Sequence, residues 1–340
     1  MSGAPVITLT PAPTLDRTYF VHNLIEGGVN RADGVAEELA GKGINVTRGL
    51  YLAGIQAPGV VPIGNSDPGV LARTGTMDYF IPHWVDGTLR VSTTIVEKDG
   101  PTTKVNEAPR PLSDSDWKEV VNLTLSKLKE NGSRWLVIAG ALPIDKSTGH
   151  FVDIEPLILA ARELGVRVAM DSSGEPLKLY ANKGLPSVIK PNAHELAETI
   201  GRDLYTVGDV IDAARELCAK GVECVLASLG PDGMVAVTTE HAWAAKTGPV
   251  EVINTVGAGD ATLAGFLNAV VSNPVAGNDE FGVGFNVPLG VATAVRWGAV
   301  AVTQPTSGLT SLDNMPESTV TDSPDRSTPL EEIAYATPTK

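Results

Sequence analysis

Short apolar segments alternate with helical patterns along most of this chain. Four of the apolar segments suit strands that are buried on both faces: residues 135–139, 166–170, 187–189 and 224–227. Helical stretches separate them: residues 152–164, 194–200 and 207–220. Strands that alternate with helices form a mainly parallel sheet with helices on both faces, and ligands bind beyond the carboxyl ends of its strands. The sequence therefore predicts a doubly wound α/β fold.

Local signals predict four further elements of that fold, two strands and two helices. The strands are residues 6–9 and 60–63, and the helices are residues 44–54 and 113–131. The last of these is bounded by Ser113, a common helix N-cap, and by Gly132, a common residue just past a helix end.

Two other regions alternate polar and apolar residues, as strands with one exposed face do. They lie at residues 17–39 and 86–107, and a turn at residues 98–101 interrupts the second. We expect them to form a small antiparallel β flap, or lid, set apart from the main sheet. Such a lid is suited to covering an active site or to pairing with a second subunit. We therefore also expect a homodimer formed through the lid.

Composition and charge exclude several classes of protein. The net charge of −14 argues against non-specific nucleic-acid binding, although an anionic substrate needs only a few local Lys or Arg side chains. Two cysteines, Cys218 and Cys224, suit buried free thiols better than disulfides or a zinc site. No apolar run reaches transmembrane length, and the N-terminus lacks the layout of a signal peptide. We expect a cytoplasmic protein.

The end of the chain differs in composition from the rest. Beyond about residue 314 it is rich in Ser, Thr and Pro. This composition favours a loosely ordered tail, with a brief helix near residues 330–334 at most.

The motif most informative about chemistry is the run of small residues at 255–260, which ends in Asp260 and leads into a helical pattern. A glycine turn that opens a helix presents free main-chain N–H groups on the positive end of the helix dipole, where phosphate oxygens bind. A carboxylate beside such an anion hole is the arrangement that phosphoryl transfer to a hydroxyl requires. The alternative is an ordinary helix N-terminus with a capping Asp.

A second glycine-flanked turn lies at residues 41–45. Gly41 and Gly43 admit close approach of a ligand to the backbone, Lys42 supplies a positive charge, and Asn45 can bond hydroxyls. The residue order is not that of a P-loop, and no dinucleotide fingerprint follows the first strand. Taken alone, this turn favours an exposed helix-capping loop.

The two turns occur in a fixed order with three other segments: residues 7–16, 190–195 and 228–233. This ordered set resembles the PfkB, or ribokinase-like, family of ATP-dependent sugar kinases, over roughly residues 5 to 312. Within the family it is most similar to the 1-phosphofructokinase and tagatose-6-phosphate kinase branch. The resemblance implies one kinase domain at residues 1–312, with the lid strands inserted in it, and a separate tail at residues 313–340.

The resemblance implies roles for residues of the glycine turns. Asp260 matches the catalytic base, and Gly257, Ala258 and Gly259 match the anion hole that stabilises the transferring phosphoryl group. The residues that match the sugar site are Asp16, Gly41, Lys42 and Asn45.

Arg90, on the lid, lies where this branch carries an arginine for the phosphate that the substrate already has. A guanidinium group can bind phosphate through two parallel hydrogen bonds. The alternative is a solvated Arg on an exposed strand. Lys104 is a weaker candidate for the same anion, and for it we favour an ordinary exposed lysine.

The resemblance implies ATP and Mg²⁺ as cofactors. Asn192 and Glu195 match residues that lie near the phosphate-bound Mg²⁺ in that family, often through water, and both can also cap a helix. The remaining nucleotide-side matches are Lys190, Ser228, Gly230, Gly233 and Thr255, together with Gly257 and Gly259. The resemblance also leaves room for a monovalent cation such as K⁺ near Asn254 and Val256.

The sequence departs from the family pattern at four places, all expected on the sugar side. Ala12 precedes Pro13 where Asn is usual, Ser92 replaces a common Asn, Arg110 replaces a Gly, and Ala141 replaces a Ser. Such changes can redirect specificity, because a sugar site discriminates through paired polar groups.

The resemblance therefore implies an ATP-dependent kinase for a ketohexose monophosphate, with fructose 1-phosphate as the expected acceptor. Alternatives of the same class phosphorylate tagatose 6-phosphate, fructose 6-phosphate, or another sugar or nucleoside. A non-catalytic regulator that binds sugar phosphates or nucleotides is the alternative of another class. We expect neither nucleic acid nor a membrane as a partner.

Overall fold

The computed structural model describes residues 3–76, 78–275, 282–305 and 308–337. Its helices are α1 (Lys42–Leu52), α2 (Val70–Arg73), α3 (Asp114–Asn131), α4 (Glu155–Glu163), α5 (Gly174–Asn182), α6 (Ala193–Ile200), α7 (Val207–Cys218), α8 (Ala258–Ser272) and α9 (Val287–Val302). None of the helices in these ranges is long and apolar enough to span a membrane.

The main sheet has ten strands within the described residues, in the order β15-β14-β13-β12-β10-β9-β8-β1-β4-β5. Seven of them run parallel: β1 (Val6–Leu9), β4 (Gly59–Gly64), β5 (Phe80–Val85), β8 (Trp135–Ala139), β9 (Arg167–Asp171), β10 (Val188–Ile189) and β12 (Cys224–Ser228). Three antiparallel strands extend one edge: β13 (Met234–Val237), β14 (Ala242–Thr247) and β15 (Ser318–Asp322).

The parallel strands are apolar because helices cover both faces of the sheet. In β8, Leu136 and Ile138 pack with α3 to α7 on one face, while Trp135 and Val137 pack with α1, α8 and α9 on the other. Each face therefore needs its own set of apolar side chains, which produces continuous hydrophobic runs rather than alternation. The predicted doubly wound α/β fold is confirmed.

The lid is a separate four-stranded sheet, in the order β3-β2-β6-β7. Its strands are β2 (Thr14–Val21), β3 (Gly34–Ala40), β6 (Arg90–Glu97) and β7 (Thr102–Asn106). The outer pairs are antiparallel as predicted, whereas the central pair, β2 with β6, is parallel. Those two strands come from distant parts of the chain, so no hairpin turn fixes their direction. A small apolar cluster that includes Leu15, Leu39 and Ile44 joins the lid to the body.

Helix ends follow the sequence signals closely. Ser113 caps α3 by accepting a hydrogen bond from the main-chain N–H of Asp116, and Gly132 ends that helix in the left-handed conformation. Asn192 and Glu195 form a reciprocal capping box at the start of α6. The two cysteines, Cys218 and Cys224, are buried free thiols, as expected.

The predicted character of the C-terminal tail was wrong. The segment expected to hold a brief helix is instead a strand, β16 (Pro329–Ala334), which pairs with β11 (Leu204–Thr206). Strand β15 pairs with β14 through five residue pairs. Leu330 and Ala334 are buried in the core cluster that packs against α6 and α7. Backbone pairing with edges of the body therefore orders a composition that is otherwise typical of disordered chains.

Candidate active site

The candidate residues gather at the carboxyl edge of the parallel strands. Asp171 ends β9, Lys190 follows β10, and the loop after β1 leads to Asp16 on the lid. The N-terminal ends of α1 and α8 bring Lys42 and Asp260 to the same edge. This is the place where doubly wound sheets bind ligands.

The turn before α8 has the backbone of an anion-binding site. Gly257 is its N-cap residue and has φ 84°, a left-handed conformation that glycine adopts without strain. Within the described residues, the main-chain N–H groups of Gly257 and Gly259 have no hydrogen-bond partner, whereas that of Ala258 donates weakly to Thr255 O at 3.3 Å. A Cβ on Gly259 would lie 3.0 Å from Lys190 Nζ. The absence of a side chain there lets an ammonium group approach the turn.

Asp260 lies in the first turn of α8 and is only 6% exposed. Asn45 Nδ2 donates to Asp260 Oδ2 at 2.8 Å, so the two glycine turns, 215 residues apart, meet here. Burial and the nearby Asp171 raise the pKa of Asp260 to about 7, against the opposing effects of Asn45, Lys42 and Lys190. A carboxyl group with a pKa near neutrality is well suited to accept a proton in catalysis.

Asp171 is a site residue that sequence reasoning missed. Its carboxylate is fully buried, with Lys42 Nζ at 2.7 Å from Oδ1 and Lys190 Nζ at 3.2 Å from Oδ2. The Lys190 contact is an ion pair without hydrogen-bond geometry. Within the described residues, Asp171 Oδ2 therefore accepts no hydrogen bond. Burial acts to raise the pKa of Asp171, but the two ammonium groups hold it below its usual range. The available signal was a single Asp directly after an apolar strand, at the edge where sites form.

Lys42, Asp171, Lys190 and Asp260 form what we call the charge cluster. Lys42 was expected among the sugar-site residues, yet its ammonium group bonds Asp171 and interacts electrostatically with Glu195 and Asp260. Burial acts to lower the pKa of Lys42, but these carboxylates raise it above its usual value. The cluster therefore sets two ammonium groups beside the carboxylates of Asp171 and Asp260.

We call the residues Thr10, Asp16, Asn45 and Arg90 the lid side of the cleft. Within the described residues, three of them have a buried polar atom without a hydrogen-bond partner. Thr10 Oγ1, Asp16 Oδ1 and Asn45 Oδ1 accept or donate no hydrogen bond within the part of the chain that the structure describes. Burial and the neighbouring Glu38 raise the pKa of Asp16 to about 6, although Arg90, Lys104 and Ser92 oppose that shift. Buried polar groups are normally paired, so these atoms indicate a polar ligand.

Gly41 and Gly43 pack directly over Thr10, a residue that sequence reasoning also missed. Gly41 has φ 142°, and a Cβ on it would lie 2.7 Å from Thr10 Cγ2. A Cβ on Gly43 would lie 2.5 Å from Thr10 Oγ1. Both glycines are therefore required by the close approach of α1 to the end of β1, whatever else they bind.

Arg90 is half-buried and donates to three main-chain carbonyls: Ala12 O at 2.9 Å, Glu107 O at 3.3 Å and Pro13 O at 3.4 Å. Burial lowers the pKa of its guanidinium group. The side chain therefore joins the loop after β1 to the loop after β7. Three of its five N–H donors are used, which leaves one on each terminal nitrogen. Lys104 is exposed on β7 and acts electrostatically on Asp16.

On the other side of the cleft, the turn after β12 is closed by its own backbone. Leu229 N donates to Gly233 O at 2.8 Å, and Gly233 N donates to Gly230 O at 3.1 Å. Gly233 has φ 87°, and a Cβ on it would collide with Ala245 O. Ser228 N donates to Pro191 O at 3.0 Å, which brings this turn beside Asn192.

The oxygens that could hold a divalent cation are dispersed. Asn192 Oδ1 and Glu195 Oε2 are both used in the capping box. The described residues contain no group of three or more His, Cys, Asp or Glu side chains arranged to bind a metal ion. Asp171 is fully buried with an ammonium group near each carboxylate oxygen, so it is not open to a metal ion. Mg²⁺ often relies on water and substrate phosphates for most of its ligands. The donor set thus fits a Mg²⁺ ion that arrives with phosphate groups.

A buried carboxylate with a pKa near 7, two neighbouring lysine side chains and free main-chain donors at a helix start are the parts of a phosphotransferase that acts on a hydroxyl group. The sequence comparison identifies the family. The pfkB family carbohydrate kinase model matches residues 7–312, and the chain belongs to that family. It is a sugar kinase, as predicted, and the family implies ATP and a divalent metal.

Curated relatives are similar over most of the chain. A 1-phosphofructokinase of Haloferax volcanii is 36% identical over 270 residues, which are 78% of this chain and 83% of the relative. A 1-phosphofructokinase of Escherichia coli K12 is 31% identical over 309 residues, covering 90% of this chain and 93% of the relative. Among solved structures, phosphofructokinase-2 of Escherichia coli in complex with potassium has TM-score 0.77 and 27% identity, covering 91% of this chain and 96% of that one.

Proposed function

We propose that this chain is a 1-phosphofructokinase, which transfers the γ-phosphoryl group of ATP to the 6-hydroxyl of fructose 1-phosphate and yields fructose 1,6-bisphosphate and ADP. The observation that carries the proposal is Asp260, buried beside the free N–H groups of the α8 turn with a pKa of about 7. Fructose 1-phosphate is supported as the acceptor because the relatives that are 31% and 36% identical are 1-phosphofructokinases.

In the proposed mechanism the transfer is direct, without a phospho-enzyme. The O6–H bond of the sugar breaks and its proton passes to Asp260, while O6 bonds the γ-phosphorus and the bond from that phosphorus to the ADP oxygen breaks. Asn45 holds the carboxylate of Asp260 in place through its amide N–H. The N–H groups of Gly257, Ala258 and Gly259, with Lys190, stabilise the charge on the transferring phosphoryl group.

For the acceptor, we assign Asp16 and Asn45 as the residues that bond sugar hydroxyls, because each has a buried oxygen without a partner within the described residues. Gly41 is assigned to the sugar site by the family resemblance, and its packing against Thr10 sets the position of α1 beside that site. Arg90 would bind the 1-phosphate with its two remaining N–H groups. Lys104 is a secondary candidate for the same phosphate, since its charge already reaches Asp16.

For the donor, we assign ATP to the side of the cleft formed by Lys190, Ser228, Gly230, Gly233 and Thr255. Asn192 and Glu195 would hold Mg²⁺ through water, and the ion would neutralise charge on the ATP phosphates. A K⁺ ion near Asn254 and Val256 is part of the proposal, supported by the potassium complex of phosphofructokinase-2. In this chain Asn254 Nδ2 donates to Pro305 O at 3.3 Å, and Val256 N donates to Asn254 Oδ1 at 3.0 Å.

The proposal extends to the organisation of the enzyme. We take residues 1–312 as the kinase domain, with the lid as an insertion in it, and residues 313–340 as a C-terminal addition. We propose a homodimer through the lid, whose exposed apolar side chains include Phe20, Val35 and Val105. A tetrameric form is described for phosphofructokinase-2 of Escherichia coli. We propose a cytoplasmic location, where ATP and sugar phosphates are abundant.

Fructose 6-phosphate is the second candidate acceptor. Phosphofructokinase-2 of Escherichia coli, solved in complex with fructose-6-phosphate, has TM-score 0.73 and 26% identity to this chain. The four departures from the family pattern on the expected sugar side, among them Arg110 and Ala141, make fructose 6-phosphate the acceptor to compare with fructose 1-phosphate.

The acceptor test uses purified protein, ATP and Mg²⁺ with five acceptors: fructose 1-phosphate, fructose 6-phosphate, tagatose 6-phosphate, fructose and adenosine. We expect kcat/KM to be highest for fructose 1-phosphate, because Arg90 gives the phosphate a charged partner. Preference for an unphosphorylated acceptor would refute the assignment, and binding without ADP release for all five would favour a non-catalytic regulator.

A further inference from the structure

Residues 313–337, which we call the C-terminal strap, lie outside the region matched by the family model. The strap begins along the edge of the main sheet, where β15 pairs with β14. It then reaches the start of α7, where the carbonyl oxygens of Arg326 and Thr328 accept from Gly208 N and Val207 N, both at 2.9 Å. The strap therefore extends a sheet and caps a helix, and both contacts fix its path over the body.

The last strand of the strap, β16, contacts the turn at residues 228–233, which follows β12. Glu331 N donates to Asp232 Oδ2 at 2.8 Å. Leu330 and Ala334 of the same strand are buried in the core cluster that includes α6 and α7, so β16 cannot move away without exposing apolar side chains. Asp232 therefore ties the turn to a fixed segment that lies 99 residues away along the chain.

The strap supports the same turn a second time, through β14. Gly233 packs directly against the carbonyl oxygen of Ala245 in β14, because a Cβ on Gly233 would collide with it. Ala245 in turn pairs with Val320 of β15. The turn therefore contacts two strands, one that pairs with the strap and one that belongs to it.

The turn itself has a flexible sequence. Gly230 and Gly233 have φ 59° and 87°, and Gly230 and Pro231 are exposed. Glycine has more accessible conformations than other residues, so a turn with two glycines depends strongly on restraints from outside. Among the described residues, the bond from Asp232 to the strap is the one side-chain hydrogen bond that this turn makes.

We propose that Asp232 is a positioning residue for the nucleotide: by binding Glu331 N of the strap, it holds the turn at residues 228–233 in the conformation that receives ATP. The inference rests on the proposed function, which places ATP against this turn. Asp232 contacts the strap and acts on the nucleotide through the turn. A site that spends only part of its time in the binding conformation binds its ligand more weakly in proportion to that fraction. Nucleotide affinity therefore depends on a segment outside the matched family region.

The strap offers a matched control for Asp232. Asp203, in the segment between α6 and β11, accepts a hydrogen bond from Ala336 N, also at 2.8 Å. Each of the two bonds joins a half-buried carboxylate of the body to a main-chain N–H of the strap, but Asp203 is not part of the turn. Asp232→Ala and Asp203→Ala therefore remove the same kind of bond. Asp232→Asn keeps a side-chain oxygen that can accept from Glu331 N.

Glu331→Pro breaks the proposed bond from the strap side. Proline has no main-chain N–H, and the N–H of Glu331 is directed to Asp232 rather than to β11. A proline at such a position in an edge strand leaves the pairing of the strand in place. Because both substitutions remove one bond, Asp232→Ala combined with Glu331→Pro should weaken ATP binding no more than either one alone.

The experiment measures Kd for ATP by calorimetry, KM for ATP and for fructose 1-phosphate, and the unfolding temperature, in the full chain. We expect Asp232→Ala to raise Kd and KM for ATP about 3- to 30-fold, with KM for fructose 1-phosphate within about twofold of wild type. Asp232→Asn should recover most of the affinity. Asp203→Ala should lower the unfolding temperature about as much as Asp232→Ala does, yet leave Kd for ATP within about twofold.

An unchanged Kd for ATP in Asp232→Ala would overturn the inference, because the turn would then keep its conformation without this bond. An equal loss of affinity in Asp203→Ala would also overturn it, because the strap would then act only through the stability of the fold. Should Asp232→Ala fail to fold, Glu331→Pro decides by the same criteria. Wild-type protein that bound and used no nucleotide would instead refute the proposed function, and that result needs no variant.

Discussion

The charge cluster and the lid side lie on neighbouring parts of one cleft, yet they differ in how their polar groups are satisfied. In the charge cluster, Lys42 and Lys190 both lie within ion-pair distance of Asp171, and Asp260 accepts a hydrogen bond from Asn45. On the lid side, oxygens of Thr10, Asp16 and Asn45 are buried without a partner within the described residues. In the folded protein, most polar groups of the charge cluster therefore have partners, whereas three on the lid side have none among the described residues.

We infer from this difference that the charge cluster acts in phosphoryl transfer and that the lid side determines which acceptor is used. Groups that are already fixed and charged need no reorganisation when a phosphoryl group is transferred, which is where electrostatic catalysis gains most. Groups that lack partners gain them only from a ligand with matching hydroxyls, and such sites reject analogues that lack those hydroxyls. Changes in the charge cluster should therefore lower kcat for every acceptor, whereas changes on the lid side should depend on the acceptor.

The largest effect is expected for Lys190→Met. The substitution removes a cation beside Gly259, and loss of one such group typically lowers kcat about 10²- to 10³-fold. The loss should be equal for fructose 1-phosphate and fructose, measured by steady-state ADP release. Lys183→Met, which alters an exposed lysine paired with Glu155, is the control and should keep wild-type activity. A loss confined to one acceptor would contradict the division between the two regions.

A smaller and acceptor-dependent effect is expected for Arg90→Lys. The lysine keeps a positive charge but loses the forked donors, so KM for fructose 1-phosphate should rise about 10- to 100-fold. KM for unphosphorylated fructose should change little. The control is Arg17→Lys on lid strand β2, where the guanidinium bonds Glu37, and it should leave both KM values near wild type. Equal increases in KM for both sugars would mean that Arg90 acts only by joining the two loops through their carbonyls.

The smallest effect concerns stability. Thr10→Val replaces a buried hydroxyl that has no partner by a methyl group of similar shape, so the free energy of unfolding of the ligand-free protein should rise by about 1 kcal/mol. Thr8→Val removes a hydroxyl that bonds Thr47 at 2.6 Å and should lower it by about 1 kcal/mol. Urea unfolding of both variants measures the contrast. Destabilisation of equal size in both would mean that Thr10 is satisfied in the free protein.

Much of the fold and part of the site could be predicted from the sequence. Buried parallel strands, helix caps such as Ser113 and the turn that ends in Asp260 depend on residues that are close together in the sequence, so local patterns predict them. Asp171 was missed because its partner Lys42 lies 129 residues away, and no spacing in the sequence reveals that contact. Strand β16 was missed because Ser, Thr and Pro describe a disordered tail equally well. Its pairing with β11 is a long-range property.

The dependence of kcat/KM on pH tests the central claim most directly, because Asp260 can accept a proton only when it is ionised. Its pKa is raised to about 7, so the carboxylate is lost as pH falls through that value. With fructose 1-phosphate as acceptor, kcat/KM should rise tenfold per pH unit below about 7 and then level off, while Asp260→Asn should be at least about 10²-fold slower without that acid limb. A wild-type profile that stays flat down to pH 5, or near-normal turnover by Asp260→Asn, would contradict the account.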